Sequence, residues 1–292
     1  MILSIVIPAH NEEGSIRETV ENLEACLTEH GIPREIIVVN DHSTDGTAAV
    51  LSDLATAHES VRWIDNTRYP GGFGYAVRTG LEDFRGDAAC IVMADSSDDP
   101  ADVVVYYQKL EEGYDCVFGS RFTPKSRVSN YPVHKLVLNR IANLFIRMLF
   151  CLSLNDTTNA FKCYHRRVIE GVQPILSCHF NLTVELPLKA VVRGFKYTVV
   201  PINWYGRKSG VSKLKIKEMG SRYLFIVLYV LLEKWLSRGD YRLQKEEGQQ
   251  RIQSRCASPA RTKTGALLPV PSTSSPGISV SLTLAAVTPR AA

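Results

Sequence analysis

Along residues 1–100, short stretches dominated by apolar residues alternate with longer segments of mixed polarity. The stretches at 3–7, 35–39, 61–65 and 88–93 read as strands of a covered sheet, since a strand buried on both faces has no need of polar alternation. Between them the spacing predicts helices over 12–30, with Ile16, Val20, Leu23 and Leu27 on one stripe, over 47–57 and over 74–84. Crossovers of that length force parallel pairing with right-handed connections. The expected fold is α/β: a Rossmann-like, doubly wound, mostly parallel sheet with helices on both faces. Past Pro100 the alternation loosens into a helix at 101–112, a strand at 115–119, long helices, and a return strand at 196–201.

Two later segments break this pattern. Residues 136–152 are mostly apolar, yet Asn139, Asn143 and Arg147 recur every four residues beside Arg140 and form one narrow polar stripe. From Tyr223 to Leu232 the run is wholly apolar, opened by Arg222 and closed by Glu233, Lys234 and Trp235, and it is too short to cross a bilayer core about 30 Å thick. Both suit core or dimer helices, and both suit amphipathic helices lying at a membrane interface. The expected organisation is an α/β domain over 1–218, an apolar interfacial helix over 219–242 and a disordered tail over 243–292. That tail sets Pro259, Pro269, Pro271, Pro276 and Pro289 among Ser, Thr, Ala and Gly.

With 292 residues and an apolar fraction of 45%, the chain can bury a full core. Its net charge of +4 invites an anionic partner, but Arg251, Arg255, Arg261, Lys263 and Arg290 all follow the last acid, Glu247. Taking those five from +4 leaves −1 over residues 1–247. The basic balance belongs to the tail, which argues against nucleic acid. Seven cysteines without C-x-x-C spacing read as free thiols of a reducing compartment, and the N-terminus lacks a secretory signal. A cytoplasmic location is expected, in which the Asn181-Leu182-Thr183 sequon goes unused.

Ligands of open α/β sheets collect beyond the carboxyl ends of the strands. There the 88–93 strand runs into Asp95-Ser96-Ser97-Asp98-Asp99-Pro100, acids suited to a divalent metal and a phosphate. The 35–39 strand runs into Asn40-Asp41-His42-Ser43-Thr44-Asp45-Gly46-Thr47. Two acidic strand ends point to a nucleotide. Asp99, and less so Asp98, also suits capping of the helix opened by Pro100, and Asp45 suits a loop or cap.

Seven motifs stand in an order that resembles family 2 glycosyltransferases. They are Ile7-Pro8-Ala9-His10-Asn11-Glu12-Glu13, Asn40 to Thr47, Gly72-Phe73-Gly74, Asp95 with its neighbours, Gly119-Ser120-Arg121, Asp156-Thr157-Thr158-Asn159-Ala160-Phe161-Lys162, and Arg207-Lys208-Ser209-Gly210-Val211-Ser212-Lys213-Leu214. The last two narrow the resemblance to the dolichyl-phosphate mannose synthase branch, over roughly residues 1–240. It implies a GT-A fold, an inverting transfer, and Mg2+ or Mn2+ to hold the leaving diphosphate. The donor would be a GDP- or UDP-hexose and the acceptor a polyprenyl phosphate, met by an enzyme peripheral on the cytoplasmic face of a membrane. Whether it forms a homo-oligomer stays open.

By the same resemblance Pro8, Ala9, Glu12, Asp41, Gly72, Gly74 and Asp95 line the nucleotide-sugar site, and Asp95, Arg121 and Arg207 carry catalysis. Asp95 and Asp98 are the expected metal ligands. Met93 and Ser97 depart from the family, which commonly has an acid and an amide at those places. Arg121, Arg207, Ser212 and Lys213 are expected to bind the acceptor phosphate, which is already ionised and needs no general base. A sugar-hydroxyl acceptor would instead need a carboxylate base, such as Asp156 or Glu185. The rival classes are that hydroxyl-directed transferase, a non-catalytic nucleotide-sugar binding subunit, and a nucleotidyltransferase.

Overall fold

The computed structural model describes residues 1–206 and 216–243. Arg207, Ser212 and Lys213 lie outside the described residues, as does the expected tail from residue 244 on. One compact unit, Met1–Gln244, contains every described element.

Seven strands form the main sheet: β1 (Leu3–Ala9), β2 (Arg34–Asn40), β3 (Val61–Asp65), β4 (Ala88–Ile91), β5 (Cys116–Ser120), β7 (Lys162–His165) and β8 (Tyr197–Pro201). Their order is β3-β2-β1-β4-β7-β5-β8. Every neighbouring pair is parallel except those made by β7, which runs antiparallel between β4 and β5. A small second sheet pairs β6 (Arg127–Ser129) with β9 (Asn203–Tyr205). The helices are α1 (Ile16–Glu29), α2 (Thr47–Ala57), α3 (Phe73–Asp83), α4 (Pro100–Glu111), α5 (Val133–Phe150), α6 (Arg166–Gly171), α7 (Leu182–Val192) and α8 (Ile216–Leu236).

Strand alternation divides the interior into two cores, so the doubly wound, mostly parallel sheet with helices on both faces is what the chain forms. Leu3, Ile5 and Ile7 of β1 face a core shared with α1, α2 and α4. Val6 faces the other, shared with α3, α5, α7 and α8. Gly80 lets α3 lie close on the sheet, because a Cβ there would stand 2.4 Å from Val6 Cγ1 and 3.1 Å from Val39 Cγ2. The bounds of α2 and β3 agree with the sequence expectation. In contrast, β4 stops at Ile91 because the Met93 N–H turns to the Asp98 carboxylate, 3.0 Å away.

Helices α5 and α8 both leave large apolar side chains exposed. On α5 the two amides of the expected polar stripe face inward, Asn143 at 2% exposure and Asn139 half-buried, while Arg147 of the same stripe, Arg140 beside it, and Val137, Ile141, Leu144 and Met148 are exposed. On α8, Ile226, Val227, Val230 and Leu231 are buried in the α3-side core, and Phe225, Leu228, Leu232 and Trp235 are exposed. The expected 218/219 boundary falls inside α8, which begins at Ile216 and packs into the shared core, and no helix among the described residues is long and apolar enough to cross a membrane.

Candidate active site

The loops leaving β1 and β2 interlock. Asn11 Oδ1 accepts the Thr44 N–H at 2.7 Å, the Glu12 N–H donates to Thr47 Oγ1 at 2.9 Å, and the Gly46 N–H donates to Glu13 Oε2 at 2.6 Å. Pro8 and Ala9 are buried at the exit of β1, and Glu12 accepts the Ser15 hydroxyl at 2.9 Å. Asp45 serves the start of α2, accepting the Thr47 N–H at 3.0 Å.

Asp41 is buried and already engaged. Its Oδ1 accepts Asn66 Nδ2 at 2.7 Å and its Oδ2 accepts the Gly72 N–H at 2.8 Å. A carboxylate offers about four acceptor positions, so a ligand can still bond to it, but its resident task is to hold the glycine turn. Gly71 and Gly72 there have φ of 84° and 138°, which side chains resist. The close approach at Gly74 is made by the protein's own backbone rather than by a ligand: a Cβ would stand 2.5 Å from the Cys178 carbonyl carbon.

Beyond β4, the acid loop forms one wall of a cavity of about 410 Å³, lined by Asp95, Asp98 and Asp99 with Thr19, Asn22 and Tyr205. Asp95 Oδ1 accepts the Ser97 N–H at 3.2 Å. Burial, helped by the charges of Asp95 and Asp102, pushes the Asp98 carboxyl up to about 7. Asp99 caps α4 by accepting the Ala101 N–H at 3.0 Å and also binds Asn203 Nδ2 at 3.0 Å. Two carboxylates on one wall, one of them crowded by like charge, are a donor set that a hard divalent cation would relieve. Among the described residues no three His, Cys, Asp or Glu side chains converge, so a metal at Asp95 and Asp98 would draw further ligands from a bound diphosphate.

Arg121 follows β5. Its Nε and Nη2 each donate to Asp156 at 2.8 Å, and its own N–H donates to the same carboxylate at 3.0 Å. The rings of Phe122, Tyr131 and Trp204 stand 5.5, 5.5 and 5.9 Å from the guanidinium carbon. Burial opposes the charge of Asp156, but Arg121 outweighs it and holds the carboxyl below its usual range. Asp98 pairs with Trp204 in an isolated bridge, and its charge and that of Arg121 act on each other. The acid loop and Arg121 thus flank the same strand, β9. Of the two candidate bases, Asp156 is given over to Arg121. Glu185 is fully buried, accepting the N–H groups of Leu176 and Ser177 at 2.8 and 2.7 Å and pairing with Lys189 at 2.6 Å.

A groove of about 360 Å³ separates α5 from α8, walled by Leu138, Phe145, Ile146, Leu224 and Val227. Its polar end holds Tyr131, Lys135, Asn139 and Thr158. Asn139 Nδ2 and Asn143 Nδ2 donate to Thr158 Oγ1 at 2.9 and 3.1 Å, and Asn143 Oδ1 accepts the Thr157 N–H at 2.6 Å. Tyr131 belongs both to this groove and to the rings around Arg121. Sequence reasoning missed Asn203 and Trp204, which come from the three-residue strand β9, and Tyr131, which stands in the short loop between β6 and α5. Lys162 was in view, inside the motif that begins at Asp156, but served there only as a mark of the family.

An acidic loop at the end of β4, a glycine turn after β3 and one antiparallel strand set into a parallel sheet describe an α/β fold with its candidate site beyond the carboxyl ends of the strands. Residues 4–172 match the Glycosyl transferase family 2 model, and the chain belongs to that family. It is a glycosyltransferase. It is 31% identical over 222 residues to the polyprenol monophosphomannose synthase of Mycolicibacterium smegmatis, covering 72% of this chain and 80% of that one. To the dolichol-phosphate mannosyltransferase of Pyrococcus furiosus it is 27% identical, over 85% of this chain and 65% of the relative. The undecaprenyl-phosphate mannosyltransferase of Micrococcus luteus is 26% identical, with 79% and 94% covered. Among solved structures, glucosyl-3-phosphoglycerate synthase of Mycobacterium tuberculosis, in complex with Mn2+, uridine diphosphate and phosphoglyceric acid, superposes with a TM-score of 0.58 at 19% identity, over 80% of this chain and 78% of that one. That likeness establishes the GT-A fold.

Proposed function

We propose that this enzyme transfers a hexose, mannose or glucose, from a nucleoside diphosphate to a polyprenyl phosphate, with inversion, at a membrane surface. The observation that carries this reading is the joining of an apolar groove to a buried cation through one residue, Tyr131. A prenyl chain would lie between α5 and α8 with its phosphate at the polar end, towards Arg121. The names of the three relatives agree with such an acceptor.

In the proposed reaction an ionised phosphate oxygen attacks the anomeric carbon from the face opposite the leaving group, and the bond to the nucleoside diphosphate breaks. No proton need be removed, and neither Asp156 nor Glu185 is placed to remove one, which disfavours a sugar-hydroxyl acceptor. Asp95 and Asp98 would hold a divalent cation, which when bound neutralises charge developing on the diphosphate. Arg121, with Arg207 and Lys213 of the undescribed motif, would gather the acceptor anion, and Ser212 would add a hydroxyl donor. Pro8, Ala9 and Glu12 would border the nucleoside, and Asp41 would hold the Gly72–Gly74 turn against it.

The exposed apolar faces of α5 and α8 carry the membrane part of the proposal. Met148, Phe225 and Trp235 are 63%, 61% and 63% exposed, with the basic Arg140 and Arg147 nearby on α5. Docking at the cytoplasmic leaflet would put the groove mouth at the lipid. The test offers labelled GDP-mannose and UDP-glucose with Mg2+ and a short-chain prenyl phosphate. Label moving into the prenyl lipid supports the reading, whereas label appearing only on an added sugar alcohol overturns it.

A further inference from the structure

Lys162 opens β7 and is 1% exposed. Its ammonium sits among backbone oxygens, donating to Thr157 at 3.0 Å, to Thr183 at 3.3 Å and to Asn159. All three partners only accept. An ammonium has three N–H donors and a neutral amine two, so the cradle is built for the charged form.

That charge has no carboxylate of its own. Elsewhere in the interior each cation is matched: Lys189 pairs with Glu185 at 2.6 Å, Arg193 with Glu233 at 2.8 Å and Arg121 with Asp156 at 2.8 Å. Among the described residues Lys162 has no such ion pair, and the charged groups that act on it are Asp156 and Arg121. Asp156 already accepts three bonds from Arg121. Two cations and one anion therefore act on one another around Lys162; Asp98, the further acid that acts on Arg121, lines the donor-side cavity where a divalent cation would take up its charge, so on the acceptor side one buried positive charge stays uncompensated unless an anion arrives.

We propose that Lys162 is a positioning residue for the acceptor: it gives the Arg121–Asp156 cluster one positive charge in excess, and that excess draws the lipid phosphate to the polar end of the groove. The inference rests on the reading of Arg121 as an acceptor-side cation. Lys162 acts from behind, through the loop it clamps. The Thr157 carbonyl is tied to Lys162 while the Thr157 N–H is tied to Asn143, so the loop bearing Asp156 and the groove residue Thr158 is held from both sides. Burial lowers the Lys162 ammonium to about 7, so it loses its proton readily until an anion stabilises the charge.

The test measures KM for a short-chain prenyl phosphate and for the nucleotide sugar in wild type, Lys162→Met and Arg121→Gln. Lys162→Met is expected to raise the acceptor KM about tenfold and to leave the donor KM within about twofold. If that variant does not fold, the wild type supplies the readout between pH 7.5 and 9, where a phosphate monoester is already fully ionised. Of the charged groups that act on Lys162, Asp156 is held low and Arg121 high; α7 presents the Thr183 backbone, the Tyr223 phenol that acts on Arg121 is pushed up to about 12, and Asp98, which also acts on Arg121, is pushed up only to about 7 and so is mostly ionised across the window. The acceptor KM should then rise about tenfold across the window while the donor KM stays flat. An acceptor KM indifferent to both the substitution and pH, or equal rises in both KM values, overturns the proposal. A prenyl phosphate that is not glycosylated, or an acceptor KM unchanged in Arg121→Gln, removes the underlying reading and the inference with it. A rise in Arg121→Gln alone removes only the role of Lys162.

Discussion

The half of this enzyme proposed to hold the donor and the half proposed to hold the acceptor differ in what their helices bury and expose. In the first, β1 to β4 and their crossovers bury apolar residues, and polar groups gather where loops leave the strands, as in the bonds joining Asn11 to Thr44 and Asp41 to Gly72. In the second, α5 turns Asn139 and Asn143 inward and Ile141, Leu144 and Met148 outward. The inward amides satisfy the Thr157–Thr158 backbone and hydroxyl, so the loop that seats Arg121 is fixed by hydrogen bonds. The outward apolar surface is left for something other than water. A helix is amphipathic with respect to two media, and here the second medium is proposed to be lipid.

The largest expected effect lies in the donor half. Asp95→Ala should lower turnover about a hundredfold or more, and chelation should do the same to wild type but little further to the variant. Steady-state rates with and without added Mg2+ or Mn2+ check this, and metal-dependent turnover retained by the variant would remove Asp95 from the site.

Next comes the joint between the halves. Asp156→Ala leaves Arg121 buried without its carboxylate and should cost about 3–5 kcal/mol, read from the denaturation midpoint. Because Arg121 holds Asp156 below its ordinary range, the pair stabilises fully above the unfolded carboxylate value of about 3.9. That contribution is lost as pH falls through the lower folded value. Acid unfolding of wild type should therefore show an additional loss below about pH 4 that Asp156→Ala lacks.

The legible part of the molecule was the donor half. Its strands are covered on both faces and its crossover helices carry clear stripes, so residues 47–57 and 61–65 emerged with the bounds the structure shows. The capping role of Asp99 was equally readable, because Pro100 follows it. The acceptor half showed β5 and β8 to within a residue of the expected 115–119 and 196–201 but hid its other elements for physical reasons. Strand β7 is four residues with Lys162 and His165 at its ends, and β6 and β9 are three residues each, so none makes an apolar run. Helix α7 is buried from Leu182 to Ala190 and has no polar stripe to reveal its period. That Arg121 is clamped by Asp156 depends on a contact across 35 positions, which spacing does not disclose.

Two smaller effects sharpen the contrast. Asn143→Ala strips the Thr157 N–H and the Thr158 hydroxyl of a buried partner and should cost about 1–3 kcal/mol, with the acceptor KM rising more than the donor KM. Phe225→Asp, on the exposed face of α8, should change thermal stability by less than about 0.5 kcal/mol. It should nevertheless reduce sedimentation with anionic vesicles several-fold. Unchanged vesicle binding would return the α5–α8 face to the role of a contact between protein copies.

The most direct test compares two acceptors that share a phosphate and differ in the chain attached to it. Turnover is measured with a short-chain prenyl phosphate and with a small water-soluble phosphate monoester at equal concentration. If the groove and Arg121 act together, the prenyl compound is glycosylated at least about a hundredfold faster, since burying several methylene groups contributes about 0.8 kcal/mol each. Equal use of the two acceptors would contradict the account.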